Sequence, residues 1–204
     1  MNIVDLTHPI NSQTPVYPGD PAVEIVSSGD LDKDGFVDHK VSFGTHVGTH
    51  IDAPAHMIKG GKQLNDIMLR RFIVPAVCID ATTGFDANLI DAIEIKEGGA
   101  VLFYTGMGQY FTQPNYWENY PVMDQKCVEA LVRKKVSLIG VDAGSVDSGE
   151  DFPMHKSLLG NDILIIENLS QSVQELVGQH FELIALPLKL EFDGAPARVV
   201  ARLA

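Results

Sequence analysis

A chain of 204 residues, 45% of them hydrophobic, is long enough to bury a sizeable core as one α/β domain spanning 1–204 and too short for two full ones. Its formal net charge of −12 argues against nucleic acid or an anionic membrane surface as partner, and the one basic run, Arg133-Lys134-Lys135, falls where it would complement a helix dipole. No secretory leader or membrane span is visible, and Cys78 and Cys127 lack any Cys-x-x-Cys spacing, which predicts buried free thiols in a reducing, cytoplasmic setting.

Asn2 to Leu6 reads as a short strand. In the following Pro15–Asp20 segment, Pro18-Gly19 is type II turn chemistry, with proline fixing φ at the first central position and glycine taking positive φ at the second. That loop either holds Tyr17 over a pocket or is an ordinary turn with an exposed ring. Ala22 to Ser27 alternates as a strand, and Asp30 to Gly35 is a polar turn without the distal glutamate of a calcium loop. Phe36 to Phe43 alternates again and leads into the densest stretch of the chain.

That stretch, Thr45 to His56, holds three of the seven histidines and a carboxylate. Its even positions are His46, Gly48, His50, Asp52, Pro54 and His56, and its odd positions from Val47 to Ala55 are apolar or hydroxylated. A two-residue period of this kind sets one polar face against one buried face. Neutral imidazole with carboxylate is a ligand set for zinc, and carboxylate-rich versions of it suit manganese or iron. A straight strand would hold His46 and His50 roughly 13 Å apart, so the chain must leave the extended form near Gly48 for both to reach one ion. Pro54 ends any regular strand or helix beyond it. Burying these groups without a metal or an ion-pair network would be costly.

Further along, Leu64 to Phe72 looks helical, Ile73 to Ile79 is a β-branched strand, Asn88 to Ile93 a short helix and Val101 to Thr105 a buried strand. Gly106 to Tyr120 is an aromatic segment of no clear period, either a lid or a loop packed on the core or on a second subunit. Asp124 to Lys135 is an amphipathic helix with Asp124 as N-cap. Ser137 to Val141 is a strand, followed by a glycine- and serine-rich loop in which Ser145 is either a nucleophile or a turn hydroxyl. His155 opens a helical turn, and Ile163 to Ile166 is a strand so apolar that Glu167 at its end must be paired, hydrogen-bonded or bound to metal. Phe181 to Leu190 and Arg198 to Leu203 complete the strands, joined through the hairpin-type dipeptide Asp193-Gly194.

If His46, His50 and Asp52 meet His155 and Glu167, five ligands exceed the need of one tetrahedral zinc and suit a pair of metals that share bridging carboxylates and activate a water. His56, beyond Pro54, then becomes the acid/base, because hydrolysis at an amide needs a proton delivered to the leaving nitrogen.

The stretch from His46 to His56 resembles the His-x-Gly-Thr-His-x-Asp-x-Pro-x-His signature of the cyclase family of metal hydrolases, which includes bacterial kynurenine formamidase (arylformamidase) and isatin hydrolase. Pro15–Asp20, Gly140-Val141-Asp142 with Ser145 and Asp147, His155 with Leu158-Leu159, Ile166–Leu169, Leu186–Leu188, Asp193-Gly194 and Pro196-x-Arg198 extend the resemblance nearly end to end. It implies a mixed sheet with flanking helices of the swivelling β/β/α type, assembled as a homodimer or larger. It also implies two divalent ions per subunit, zinc or else manganese, with His46, His50 and Asp52 on the first, Asp52 and Glu167 bridging, and His155 on the second. His56 would be the proton shuttle and the substrate a small amide; a cyclase- or lactonase-type reaction, or a metal-binding domain without catalysis, are the rival readings. Where the kynurenine formamidases carry a substrate-packing tryptophan, this chain has Tyr17.

Overall fold

Long β-branched and apolar runs with no polar alternation predict strands covered on both faces. The computed structural model, which describes residues 2–149 and 151–203, bears this out. Its strands are β1 (Asn2–Asp5), β2 (Glu24–Gly29), β3 (Asp38–Ser42), β4 (His50–Asp52), β5 (Ile73–Asp80), β6 (Ala100–Tyr104), β7 (Leu138–Val141), β8 (Leu164–Glu167), β9 (His180–Pro187) and β10 (Gly194–Leu203). The helices are α1 (Leu31–Asp34), α2 (Ala87–Ala92), α3 (Gln125–Arg133) and α4 (Pro153–Gly160).

The main sheet is mixed and runs β1-β10-β4-β8-β7-β6-β5-β9. The strands β5, β6, β7 and β8 are parallel neighbours, as crossover helices require, and the remaining pairings are antiparallel. Because β10 pairs with β9 along one edge and with β4 and β1 along the other, strands β4 to β10 close into a ring. Closure removes exposed edges from these strands.

Alternation within the ring separates two cores. Val74, Ala76, Cys78, Leu102, Leu138, Leu164, Ile166 and Ile51 fill its inside. Val77, Ile79, Val101, Phe103, Ile139 and Ile165 face outward onto α2, α3 and α4, whose Ile90, Leu131, Leu158 and Leu159 cover them. Since Ile51 and Ile166 face inward as cross-strand partners, His50, Asp52 and Glu167 share the outer face of the β4–β8 pair, with His50 directly opposite Glu167. The register of two strands thus brings the candidate ligands together.

Asp124 caps α3 as predicted, accepting from the Cys127 amide, and both cysteines are buried and free. The hairpin of β2 and β3 forms its own two-stranded sheet, with Ile25, Val26 and Val41 exposed. Three expectations are corrected. Leu64 to Phe72 is not a helix but two 3₁₀ turns, Leu64–Asp66 and Leu69–Arg71, because Gln63 and Asp66 cap each other and Ile67 and Met68 are extended. Leu64, Ile67 and Phe72 are buried all the same, so the apolar spacing there reflects packing of turns. The Asp30 segment is one helical turn, capped by Asp30 and ended by Gly35 at φ 80°. Asp193-Gly194 is not a two-residue turn: β9 ends at Pro187, and Gly194 opens β10.

Candidate active site

Gly48 turns the chain at φ 59°, the bend anticipated from the His46–His50 spacing. Its carbonyl accepts hydrogen bonds from His50 Nδ1 at 2.8 Å and from Asn168 Nδ2 at 3.0 Å. A carbonyl only accepts, so His50 carries its proton on Nδ1 and leaves Nε2 free. The His46 and His50 rings stand perpendicular, centroids 5.1 Å apart.

Asp52 is fully buried and lies at the centre. His46 Nδ1 is 2.7 Å and His50 Nε2 3.2 Å from its Oδ1, and His155 Nε2 is 3.6 Å from its Oδ2. Glu167 faces the same imidazoles, with Oε1 3.1 Å from His155 Nε2 and Oε2 3.6 Å from His50 Nε2. Its partners are therefore these histidines, not the arginine of a structural salt bridge. His155 is presented by the N-terminus of α4, which Pro153 opens without needing a donor. Asp147 accepts from the Met154 and His155 amides and from His155 Nδ1, each at 2.8 Å, so one carboxylate caps the helix and orients the imidazole.

Burial opposes charge on all these groups, and neighbours of opposite sign override it at most of them. Asp52 is held well below the usual carboxylate range by His46 and His50. Asp52 and Asp193 carry His46 up to about 9, and Glu167, Asp147 and Asp52 carry His155 to about 12. At His56 burial dominates and lowers the pKa.

His50 Nε2, Asp52 Oδ2 and Glu167 Oε1 are buried and make no hydrogen bond of good geometry, each facing only the ion-pair contacts of the cluster. Ligand atoms of His50, Asp52 and Glu167 lie within 4.8 Å of one another, as do those of His46, Asp52 and His56. Native interiors rarely leave such atoms unpaired, and divalent cations satisfy this donor set. The residues therefore fit a metal centre, with Asp52 common to both groups.

The cluster forms the floor of a cavity of about 450 Å³. Tyr17, Trp117 and Phe152 supply its aromatic side, with Tyr17 edge-on to Trp117 at 5.5 Å. The Pro18-Gly19 turn forms as predicted, Gly19 at φ 102° and the Asp20 amide bonded to the Tyr17 carbonyl, and it places Tyr17 on the cavity. Gly144 makes room for Trp117, since a Cβ there would lie 2.3 Å from the indole. The aromatic segment packs on the core, with Phe111 and Tyr116 in the interior, and its Trp117 lines the cavity. Ser145 is buried and its Oγ accepts from the Asp147 amide at 3.2 Å, a turn role. A larger cavity of about 760 Å³, lined by Pro75, Glu94, His180 and Arg202 among others, contains none of the cluster.

Residue-level reading of the sequence missed Asp193, whose Oδ2 contacts His46 Nε2 at 2.9 Å and His56 Nδ1 at 3.2 Å. It also missed Asn168 and Trp117. Only the glycines beside or opposite them, Gly194 and Gly144, signal close approach.

Fold and centre together define an α/β ring with a buried imidazole–carboxylate cluster able to hold metal. Within that class the chain belongs to the Cyclase family, whose model ("Putative cyclase") matches residues 4–148. It is 34% identical over 204 residues to an uncharacterized protein of Methanocaldococcus jannaschii, covering 98% of this chain and 99% of that one. It is 33% identical over 214 residues to kynurenine formamidase of Salinibacter ruber, covering 99% and 98%. Among solved structures, an isatin hydrolase bound to the product analogue thioisatinate superposes with a TM-score of 0.86 at 26% identity, covering 98% of this chain and 91% of that one.

Proposed function

We propose that this protein is a metal-dependent hydrolase that cleaves the C–N bond of an aryl formamide or a cyclic aryl amide. The observation that carries the reading is the convergence of three buried ligand atoms without a well-formed hydrogen bond, on His50, Asp52 and Glu167, at the floor of an aromatic-walled cavity beside His56. Similarity to kynurenine formamidases and isatin hydrolases supports the choice of bond.

His46, His50 and Asp52 would hold one divalent ion, Asp52 and Glu167 would bridge to a second, and His155 would complete it, with zinc or manganese as the metal. Bound there, the ions supply Lewis-acid polarisation of the carbonyl and lower the pKa of a water. The chain's own residues do the rest. Tyr17, Trp117 and Phe152 present apolar ring surface to the aryl group and orient the amide over the floor. His56 lines the same cavity, and burial lowers its pKa, which favours the neutral ring that can accept a proton. It takes a proton from the attacking water and returns it to the leaving nitrogen, giving a carboxylate and an arylamine.

Metal analysis of purified protein, followed by a hydrolysis panel of N-formylkynurenine, simple formanilides, isatin and small lactams with zinc and with manganese, tests this directly. The expected result is bound divalent metal, turnover of at least one aryl amide, and loss of turnover on chelation that metal restores. Less than one ion per chain, with turnover indifferent to chelator, would refute the proposal.

A further inference from the structure

We propose that Asp193 is a positioning residue that sets which ring nitrogen His46 and His56 turn toward the reaction, so that one carboxylate oxygen orients a metal ligand and the proton carrier together. The inference rests on the reading of His56 as the acid/base. Asp193 Oδ2 lies 2.9 Å from His46 Nε2 and 3.2 Å from His56 Nδ1. An ionised carboxylate can only accept, so both of these nitrogens carry hydrogen. His56, which lines the cavity, then has Nε2 as its one remaining ring nitrogen for the substrate. The same rule makes His46 Nδ1 a donor to Asp52 Oδ1 across 2.7 Å, so without metal this ring carries hydrogen on both nitrogens, and Nδ1 is the one whose proton a metal on Asp52 would displace.

This makes His46 the exception among the imidazoles. His50 and His155 donate from Nδ1, to the Gly48 carbonyl and to Asp147, and leave Nε2 for a metal. His46 places Nε2 on Asp193 and turns Nδ1 toward Asp52, so Nδ1 is its nitrogen on the side of the buried cluster. In neutral histidine the hydrogen bond made by one nitrogen decides which nitrogen is left for chemistry, so removing Asp193 removes the selection.

Local structure holds the arrangement in place. The Asp193 carbonyl accepts from the Ala53 amide at 2.8 Å, tying the residue to the end of β4, and Thr45 Oγ1 reaches Oδ1 at 3.4 Å. A Cβ on Gly194 would come within 2.6 Å of His46 Cε1, so glycine at that position lets the ring seat against β10. The His46 and His56 rings lie tilted by 36° at a centroid distance of 3.9 Å, which brings both within reach of one oxygen.

Nitrogen-15 NMR of histidine-labelled protein, zinc-loaded and metal-stripped, reads the tautomers directly. The expected wild-type spectrum assigns His56 as Nδ1–H. In Asp193→Ala the His56 signals move to the Nε2–H pattern, kcat falls about 10–100-fold with KM within a few-fold, and zinc affinity measured against a chromophoric chelator weakens by a similar factor. An Nε2–H tautomer in the wild type overturns the proposal, and that measurement needs no variant to fold. An Asp193→Ala protein with unchanged tautomer and unchanged kcat overturns it equally. Because the spectrum requires no substrate, its outcome is separate from any failure of the amide-hydrolase reading.

Discussion

Two aromatic rings from distant segments, Tyr17 and Trp117, meet on the cavity wall. Trp117 supplies an indole from a different segment, packed edge-on against Tyr17 and seated over Gly144. An aromatic contact is worth about 0.5–1.5 kcal/mol beyond area burial, and about 1.4 kcal/mol is a decade in affinity. Trp117→Ala and Tyr17→Ala should therefore each raise KM for an aryl substrate by up to about tenfold in steady-state assays and leave kcat within a few-fold. Gly144→Ala gives an independent check, since its Cβ would force the indole out of its seat and should reproduce the KM effect of Trp117→Ala. If kcat collapses while KM holds, the wall is orienting the catalytic groups and the division between shelf and machinery is wrong.

The buried face of the aromatic segment supports the metal centre from behind. Tyr116 Oη donates to Asn168 Oδ1 at 2.7 Å, Asn168 Nδ2 donates to the Gly48 carbonyl, and that carbonyl fixes His50. Asn168 sits just past β8 at φ 57°, a left-handed conformation that asparagine tolerates better than most side chains. Asn168→Ala would leave the buried Tyr116 hydroxyl only its longer contact to the Asp142 carbonyl at 3.3 Å and would take one donor from the Gly48 carbonyl, at a cost of about 1–3 kcal/mol. The measurable outcome is a lower urea midpoint with an unchanged m-value, together with weaker metal binding; Tyr116→Phe, which removes the donor instead, should cost less. Contacts of this kind also mark the limit of what the sequence discloses. Strands covered on both faces announce themselves as apolar runs, and the parity of His46, His50 and Asp52 with the bend at Gly48 exposes the centre, because both are local patterns. His46 and Asp193 are 147 positions apart and Gly48 and Asn168 are 120, so their pairing depends on ring closure that no local period encodes. Leu64 to Phe72 misleads for the opposite reason, a helical spacing produced by two packed turns.

At the scale of the whole molecule the centre couples metal, proton and fold. The chain carries a net charge of −12, and without metal its buried carboxylates are balanced by imidazoles. His46 and His155 have folded pKa values raised from 6.5 to about 9 and about 12. A raised value stabilises the fold fully below the unfolded pKa and is lost as pH climbs through the folded one. Metal-free protein should thus lose stability above pH 6.5, the share of His46 being spent by about pH 9. On the acid side, burial lowers His8 to about 4 and lowers His56, so their protonation below pH 6.5 costs stability. Asp52, depressed well below 3.8, adds a further loss only in strong acid. Metal reverses the alkaline limb, because ligation requires histidines already stripped of the ligating proton and so tightens as pH rises. The Tm of chelator-stripped protein should therefore fall between pH 6.5 and 9 while that of zinc-loaded protein holds, and the gap between them should widen steadily. A gap that stays constant across that range would mean that His46 and His155 are not the groups that exchange protons for metal.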